Sequence, residues 1–429
     1  MIFYIWIIKL LSVFVRLSGL GGATSLPGLL IEKFFPQKIK KLSSSYKKIV
    51  LVTGTNGKTT TQRCLRHILE IKGKKVVSNK SGANLLRGII STLIFDRNIL
   101  GKAKSDICIF EVEEATMPFI VEYLDASYVL VTNLFRDQLD AYGEVSKVRE
   151  YIVNAIKKSP KAKVYLNKDD SNVNSISTEI DNEVDYFNIR DKRKKAIFYE
   201  RKLRRKHRRN VDIVYAGRIK IQEDLSTEFN IYLNGQIYRN VRFEPPGLQN
   251  VYNAVSSIAI ASDMYKLSKS EVINAFSTFR VAFGRGESVK IGKKSIRLLL
   301  VKNPASLTAN MNMLLCKRDL KLMIILNDNI ADGTDISWIW DAELESMSKT
   351  NIASLTISGK RAYDLNVRFK YAEIKAMSKE VEPNISRALD LALSKLNEGE
   401  TLFILPTYTG MLEVRKVIGS IVKLSKFWQ

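Results

Sequence analysis

Residues 49–61 read IVLVTGTNGKTTT. The apolar opening has the length and branched content of a buried strand. Gly54-Thr55-Asn56-Gly57-Lys58-Thr59-Thr60 then breaks it, and the residues that follow open a helix. Strand, glycine loop and helix in that order make a phosphate cradle. Glycines let backbone N–H groups approach phosphate oxygens, Lys58 supplies a point charge, and Thr59 offers a hydroxyl to a magnesium ion. The common loop of this kind has a glycine five positions before Gly57, where this chain has Val52. The loop implies a nucleotide and leaves the reaction open.

The surrounding pattern sets the fold class. Between 47 and 170, the runs KIVLVTG, KKVVSN, DICIFEVE, YVLVTNL and KVYLN alternate with helical stretches. The class is α/β, a parallel sheet with helices on both faces, whose ligands sit at the carboxyl ends of the strands. Glu111, Glu113 and Glu114 follow the third run, where a carboxylate can hold magnesium beside phosphates; for at least one of the three a solvated acidic turn is the favoured reading. Asn133, Arg136, Asp137 and Asp140 fall near the same edge. FNIYLNGQIYRNV predicts a hairpin turning at Asn234-Gly235, where both central residues need positive φ. A helix follows Pro245-Pro246-Gly247. Another opens at Ser268, with Glu271 completing a capping box. GRGES, 284–288, reads as a linker into a second alternating region, with strands at SIRLLLVKN, KLMIILND, IASLTISG and TLFILP. The expected organisation is a leader over 1–42, a central ATP-binding domain over 43–288 with a basic insertion at about 190–225, and a smaller α/β domain over 289–429.

Composition narrows the function. Cys64, Cys108 and Cys316 are far apart and form no CxxC pair, which suits a reducing compartment, and only His67 and His207 are histidines. The net charge is +24, of which residues 191–209 carry +9 through 11 Lys/Arg against Asp191 and Glu200. That segment fits a membrane surface, a substrate pyrophosphate or plain solvation. No reading helix or aromatic strand pattern accompanies it, so the basic nucleotide-gated nucleic-acid module that the charge alone would allow is set aside and no nucleic-acid partner is expected. Residues 1–15 are apolar with one charge, Lys9, and are shorter than the about 20 residues of a spanning helix. A helix in the membrane interface, an ordinary buried helix and an uncleaved insertion all remain readings.

TGTNGKTT, TNLFRDQLD and LNKDD together resemble the ATP-dependent Mur ligases and folylpolyglutamate synthases. SGANLLRG, NLFRDQLDAYGE, VKNPAS, LNDNIADGTDISWIWD, SGKRAYDLNVRFKYA and LPTYTGML are more specific. They resemble the MurT family, the ligase-like subunits of lipid II isoglutaminyl synthase, from about residue 17 to the end except about 190–225. The resemblance implies a Mur ligase-type central domain. It also implies ATP-dependent amidation of the D-glutamate α-carboxylate of the lipid II stem peptide, through an acyl phosphate, at the inner face of the cell membrane. Ammonia would come from a GatD-like class I glutamine amidotransferase subunit. By position, Thr55, Asn56, Gly57, Lys58, Thr59, Thr60, Asn250 and Arg285 would contact the nucleotide, and Thr59 and Glu111 the magnesium. Asp335 would complete the partner's Cys–His pair, with Asp341 its competitor and a helix cap before SWIWDAEL its alternative role. A stand-alone amino-acid ligase is the competing enzyme reading. Two departures stand out. Gln138 replaces a histidine found in many Mur ligases, a change MurT proteins share. The family's four-cysteine zinc ribbon is absent, because 188–217 contains no cysteine, so no zinc is expected.

Overall fold

The computed structural model describes residues 6, 8–10, 25–79, 83–135, 145–193, 214–280, 285–315, 317–422 and 424, with the side chain of Arg285 also outside the description. Arg136, Asp137, Gln138, Asp140 and most of the basic segment 191–209 therefore lie outside the described residues.

Two sheets organise the chain. The first contains β1 (Lys48–Thr53), β2 (Val76–Ser78), β3 (Ile107–Glu111), β4 (Tyr128–Val131), β5 (Lys163–Asn167), β6 (Val184–Arg190), β7 (Val214–Ile221), β8 (Thr227–Leu233) and β9 (Gln236–Phe243). Their order is β2-β3-β1-β4-β5-β6-β7-β8-β9, parallel through β7 and antiparallel across β8 and β9. Side chains alternate faces along β1. Val50 and Val52 pack with helices Lys58–Ile71, Leu248–Met264 and Lys269–Thr278 on one side. Ile49 and Leu51 pack with helices Leu86–Phe95 and Val145–Lys157 on the other. Ile8, Ile31, Ile39 and Leu42 join that second layer, so part of the expected leader is core. Among the described residues no helix is long and apolar enough to cross a membrane.

The second sheet contains β10 (Arg285–Ile291), β11 (Lys294–Leu299), β12 (Leu320–Ile325), β13 (Ile352–Ser358), β14 (Ser378–Val381) and β15 (Thr401–Pro406), in the order β10-β11-β15-β12-β13-β14. Only the β10–β11 pairing is antiparallel.

Local signals and their outcomes differ by range. Asn234 (φ 47°) and Gly235 (φ 78°) form the expected turn between β8 and β9, and Ser268 with Glu271 forms the capping box. Residues 285–288 of the expected linker GRGES are instead the start of β10, which carries no alternation of its own and is ordered by pairing with β11. β6 and β7 extend the parallel sheet up to the hairpin. SWIWDAEL makes only a short 3-10 turn, Ser337–Trp340.

Candidate active site

β1 lies between β3 and β4, the point where the strand order reverses, and the crevice outside the carboxyl ends of these strands receives the glycine loop. Gly54 and Gly57 hold φ 116° and 92°, in the region that favours glycine. A Cβ on Gly57 would stand 2.3 Å from Asn253 Oδ1. The loop is fastened to the end of β4: Asn56 N–H donates to Asn133 Oδ1 (2.9 Å), and Asn133 Nδ2 donates back to Asn56 O (2.9 Å). Thr132 Oγ1 also donates to Asn56 O, at 2.8 Å. A preformed loop of this kind meets a polyphosphate without first losing chain entropy.

Lys58 begins the helix behind the loop and is buried, with Nζ 3.0 and 3.2 Å from the carboxylate oxygens of Glu114 and 3.8 Å from Glu113 Oε2. Burial favours neutral Lys58, but Glu114, Glu113 and Glu111 outweigh it and hold its pKa above the ordinary value. Burial pushes Glu113 up to about 7, opposed by Lys58 and assisted by Glu114. For Glu114, burial is overcome by Lys58, and the carboxyl titrates well below its usual range. The loop lysine is therefore a cation already held among carboxylates, and a phosphate must draw it away.

Thr59 Oγ1 donates to Glu111 Oε2 at 2.6 Å. Asn79 fixes Glu111 from behind, accepting its N–H at 2.9 Å and donating to its carbonyl at 2.9 Å. Among the described residues no three His, Cys, Asp or Glu side chains form a metal cluster. The hydroxyl–carboxylate pair nevertheless fits magnesium, which takes one or two protein oxygens and completes its shell with phosphate and water.

A cavity of about 700 Å³ opens beside the loop, with Lys58, Glu113, Asn250, Lys302 and Ser306 in its wall. Asn250 donates from Nδ2 to Pro246 O (2.7 Å) and accepts from Asn253 Nδ2 (3.0 Å), which places it on the first sheet's side. The opposite wall comes from the second sheet. Lys302 Nζ donates to Thr55 O at 3.1 Å, and Asn303 and Asn56 exchange amide hydrogen bonds at 3.2 and 3.5 Å. Sequence reasoning assigned no role to Lys302 and Asn303. The one local signal was Asn303-Pro304, a helix cap followed by Pro at the first helical position.

The other expected residues are placed less centrally. Asp335 is exposed on the segment after β12, outside the cavity wall. Its Oδ1 accepts from Ser337 N–H (2.7 Å) and its Oδ2 from the Ser337 hydroxyl (2.9 Å), a side-chain turn just ahead of the 3-10 turn, whose cap position is Ile336. Asp341 is exposed at the end of the same turn. Nearby Asp332 is buried and accepts both the N–H and the hydroxyl of Thr409. Arg285 opens β10, but its side chain lies outside the described residues.

The two-sheet architecture is that of the Mur ligase fold. MurF from Acinetobacter baumannii superposes with a TM-score of 0.68 at 15% identity, over 92% of this chain and 80% of that one. MurF from Thermotoga maritima, solved with ADP, gives 0.67 at 12% identity over 90% and 82%. Residues 52–261 match the Mur ligase middle domain, and residues 300–411 match the MurT ligase C-terminal domain. The lipid II isoglutaminyl synthase (glutamine-hydrolyzing) subunit MurT of Streptococcus pneumoniae R6 is 31% identical over 94% of both chains. This chain belongs to the MurT family.

Proposed function

We propose that this chain is the ATP-using ligase subunit of a lipid II isoglutaminyl synthase, converting the α-carboxylate of D-glutamate in the stem peptide to the amide of D-isoglutamine. The supporting observation is end-to-end similarity to a subunit of that name, through the second sheet as well as the phosphate loop. A carboxylate is a poor acceptor for ammonia because hydroxide or oxide must leave. Transfer of the γ-phosphoryl group to a carboxylate oxygen releases ADP and makes an acyl phosphate. Ammonia then attacks the acyl carbon, phosphate departs with that oxygen, and a proton is lost to solvent.

The chain's own groups suit the first step. The loop amides after Gly54 receive the phosphates, and Lys58 exchanges Glu114 for the transferred phosphoryl oxygens. Glu113 and Glu114 lose the cation that lowers their pKa values, so both become more basic. Asn250 and Lys302 orient the nucleotide from opposite walls. Thr59 and Glu111 would hold a magnesium ion, which would supply positive charge to the phosphates. Asp335 is exposed, suited to orienting a histidine of a GatD-like glutamine amidotransferase docked on the second sheet. A lipid-linked substrate places the reaction at the inner face of the cell membrane.

The test is to incubate the chain with that partner, glutamine, ATP, magnesium and lipid II. Mass spectrometry of the stem peptide should show hydroxyl replaced by amine. An unchanged mass with a partner that hydrolyses glutamine would refute the proposal.

A further inference from the structure

The outer layer of the first sheet carries an apolar knob between the helix Leu86–Phe95 and β3. Arg97 and Ala103 bridge antiparallel, and the residues between them form a tight projecting turn. Asn98 holds its shape: its Oδ1 accepts from Leu100 N–H (2.9 Å) and Lys102 N–H (3.0 Å), while its carbonyl accepts from Gly101 N–H (3.0 Å). Gly101, at φ 71°, supplies the conformation such a turn requires. The tip is thus built to present Ile99 and Leu100, which are 68% and 61% exposed. Its base is rigid. Buried Arg97 donates to Gly101 O (2.8 Å), to Leu42 O and to Ser45 Oγ (2.6 Å).

Trp6 and residues 8–10 extend this patch. Trp6 donates its indole N–H to Ile99 O at 2.9 Å, and Lys9 donates to Arg97 O. Ile8 is buried, while Trp6 and Leu10 face outward at 48% and 72% exposure. Single exposed aliphatic residues are ordinary, but four large apolar side chains in one patch mark a binding surface. The two segments that form it carry basic charge. Residues 1–31 contain no Asp or Glu, and 97–104 (RNILGKAK) contain only basic charges, with Lys102 and Lys104 exposed. The adjoining carboxylate, Asp96, is turned inward to Tyr46 and Ser105. An aliphatic tip, an amphipathic indole and a cationic rim are the features by which a protein surface seats at the headgroup–acyl boundary of a membrane.

We propose that Ile99, Leu100, Trp6 and Leu10 dock this chain on an anionic phospholipid surface, with Lys102 and Lys104 meeting lipid phosphates. The inference rests on the reading above only for its purpose, since a lipid-linked substrate would then be met in two dimensions.

The experiment is flotation of the full chain with vesicles of phosphatidylglycerol and phosphatidylcholine, and with vesicles of phosphatidylcholine alone. The parent should float with the anionic vesicles and bind the neutral ones far less. Ile99→Ser combined with Leu100→Ser should lower partitioning about tenfold or more while leaving ADP affinity unchanged. A Lys102→Gln, Lys104→Gln variant should lose the preference for anionic vesicles. A parent that does not float, or a serine variant that floats like it, would overturn the proposal. So would a serine variant that keeps its vesicle affinity but no longer co-elutes with the amidotransferase subunit, because the patch would then be a protein interface. Flotation without amidation supports this surface and counts against the ligase reading alone; amidation without flotation does the reverse.

Discussion

Asn56 of the phosphate loop and Asn303 at the start of the helix Pro304–Leu314 exchange side-chain amide hydrogen bonds across 247 positions of sequence. With Lys302 on Thr55 O, this pair ties the second sheet directly to the backbone that receives phosphate. A phosphate on this loop would therefore meet backbone that both sheets hold.

Asn303→Ser tests that coupling. Serine keeps the helix cap but cannot reach Asn56. Two neutral hydrogen bonds are lost, so ATP-dependent turnover should fall about tenfold, with the melting temperature little changed. Unaltered turnover would reduce the pair to a packing contact.

Lys58→Met should abolish amidation, and it should also destabilise the protein in a pH-dependent way. Glu114 titrates below its unfolded value because of Lys58, so its contribution is present above about pH 4.5 and lost as pH falls through its folded pKa. Without Lys58 the contribution disappears and buried Glu113 and Glu114 prefer to be protonated. The variant should then be about 3 kcal/mol less stable than the parent near neutral pH, with the gap closing toward pH 4. Denaturant titrations at several pH values measure this; a pH-independent gap would contradict the assignment of charge.

Glu113 should make nucleotide binding consume protons. In the free chain it titrates at about 7. Polyphosphate adds negative charge beside it and raises that value further, so affinity for metal-free ADP is greatest below pH 7 and declines as pH rises above it. Calorimetry in buffers of different ionisation enthalpy should show proton uptake near neutrality, lost in Glu113→Gln. Equal uptake by that variant would place the titrating group elsewhere.

Asp335→Asn should separate the two half-reactions. The asparagine retains one acceptor for the 3-10 turn but lacks the charge that stabilises a partner histidine. Glutamine-driven amidation should fall on the order of 10³-fold, with the ammonia-fed reaction preserved. Equal loss of both would make Asp335 structural, and preservation of both would turn attention to Asp341.

The features legible in sequence are those whose causes are local. Gly54 and Gly57 announce backbone that other residues avoid, Asn234-Gly235 demands its turn, and Ser268 with Glu271 caps a helix using groups three residues apart. Each is settled by sterics or hydrogen bonds within a few positions, so sequence alone determined the phosphate loop, the hairpin and the alternation of strands and helices. Tertiary structure decided what those pieces face. Residues 285–288 became a strand because β11 offers them a partner, which their own composition does not reveal. Glu113 and Glu114 are adjacent in the chain yet titrate in opposite directions, because only Glu114 bonds Lys58 with both oxygens. Lys302 and Asn303 carry no local mark of a nucleotide site, and reach one because the packing of two sheets closes the long loop of chain between them and Asn56.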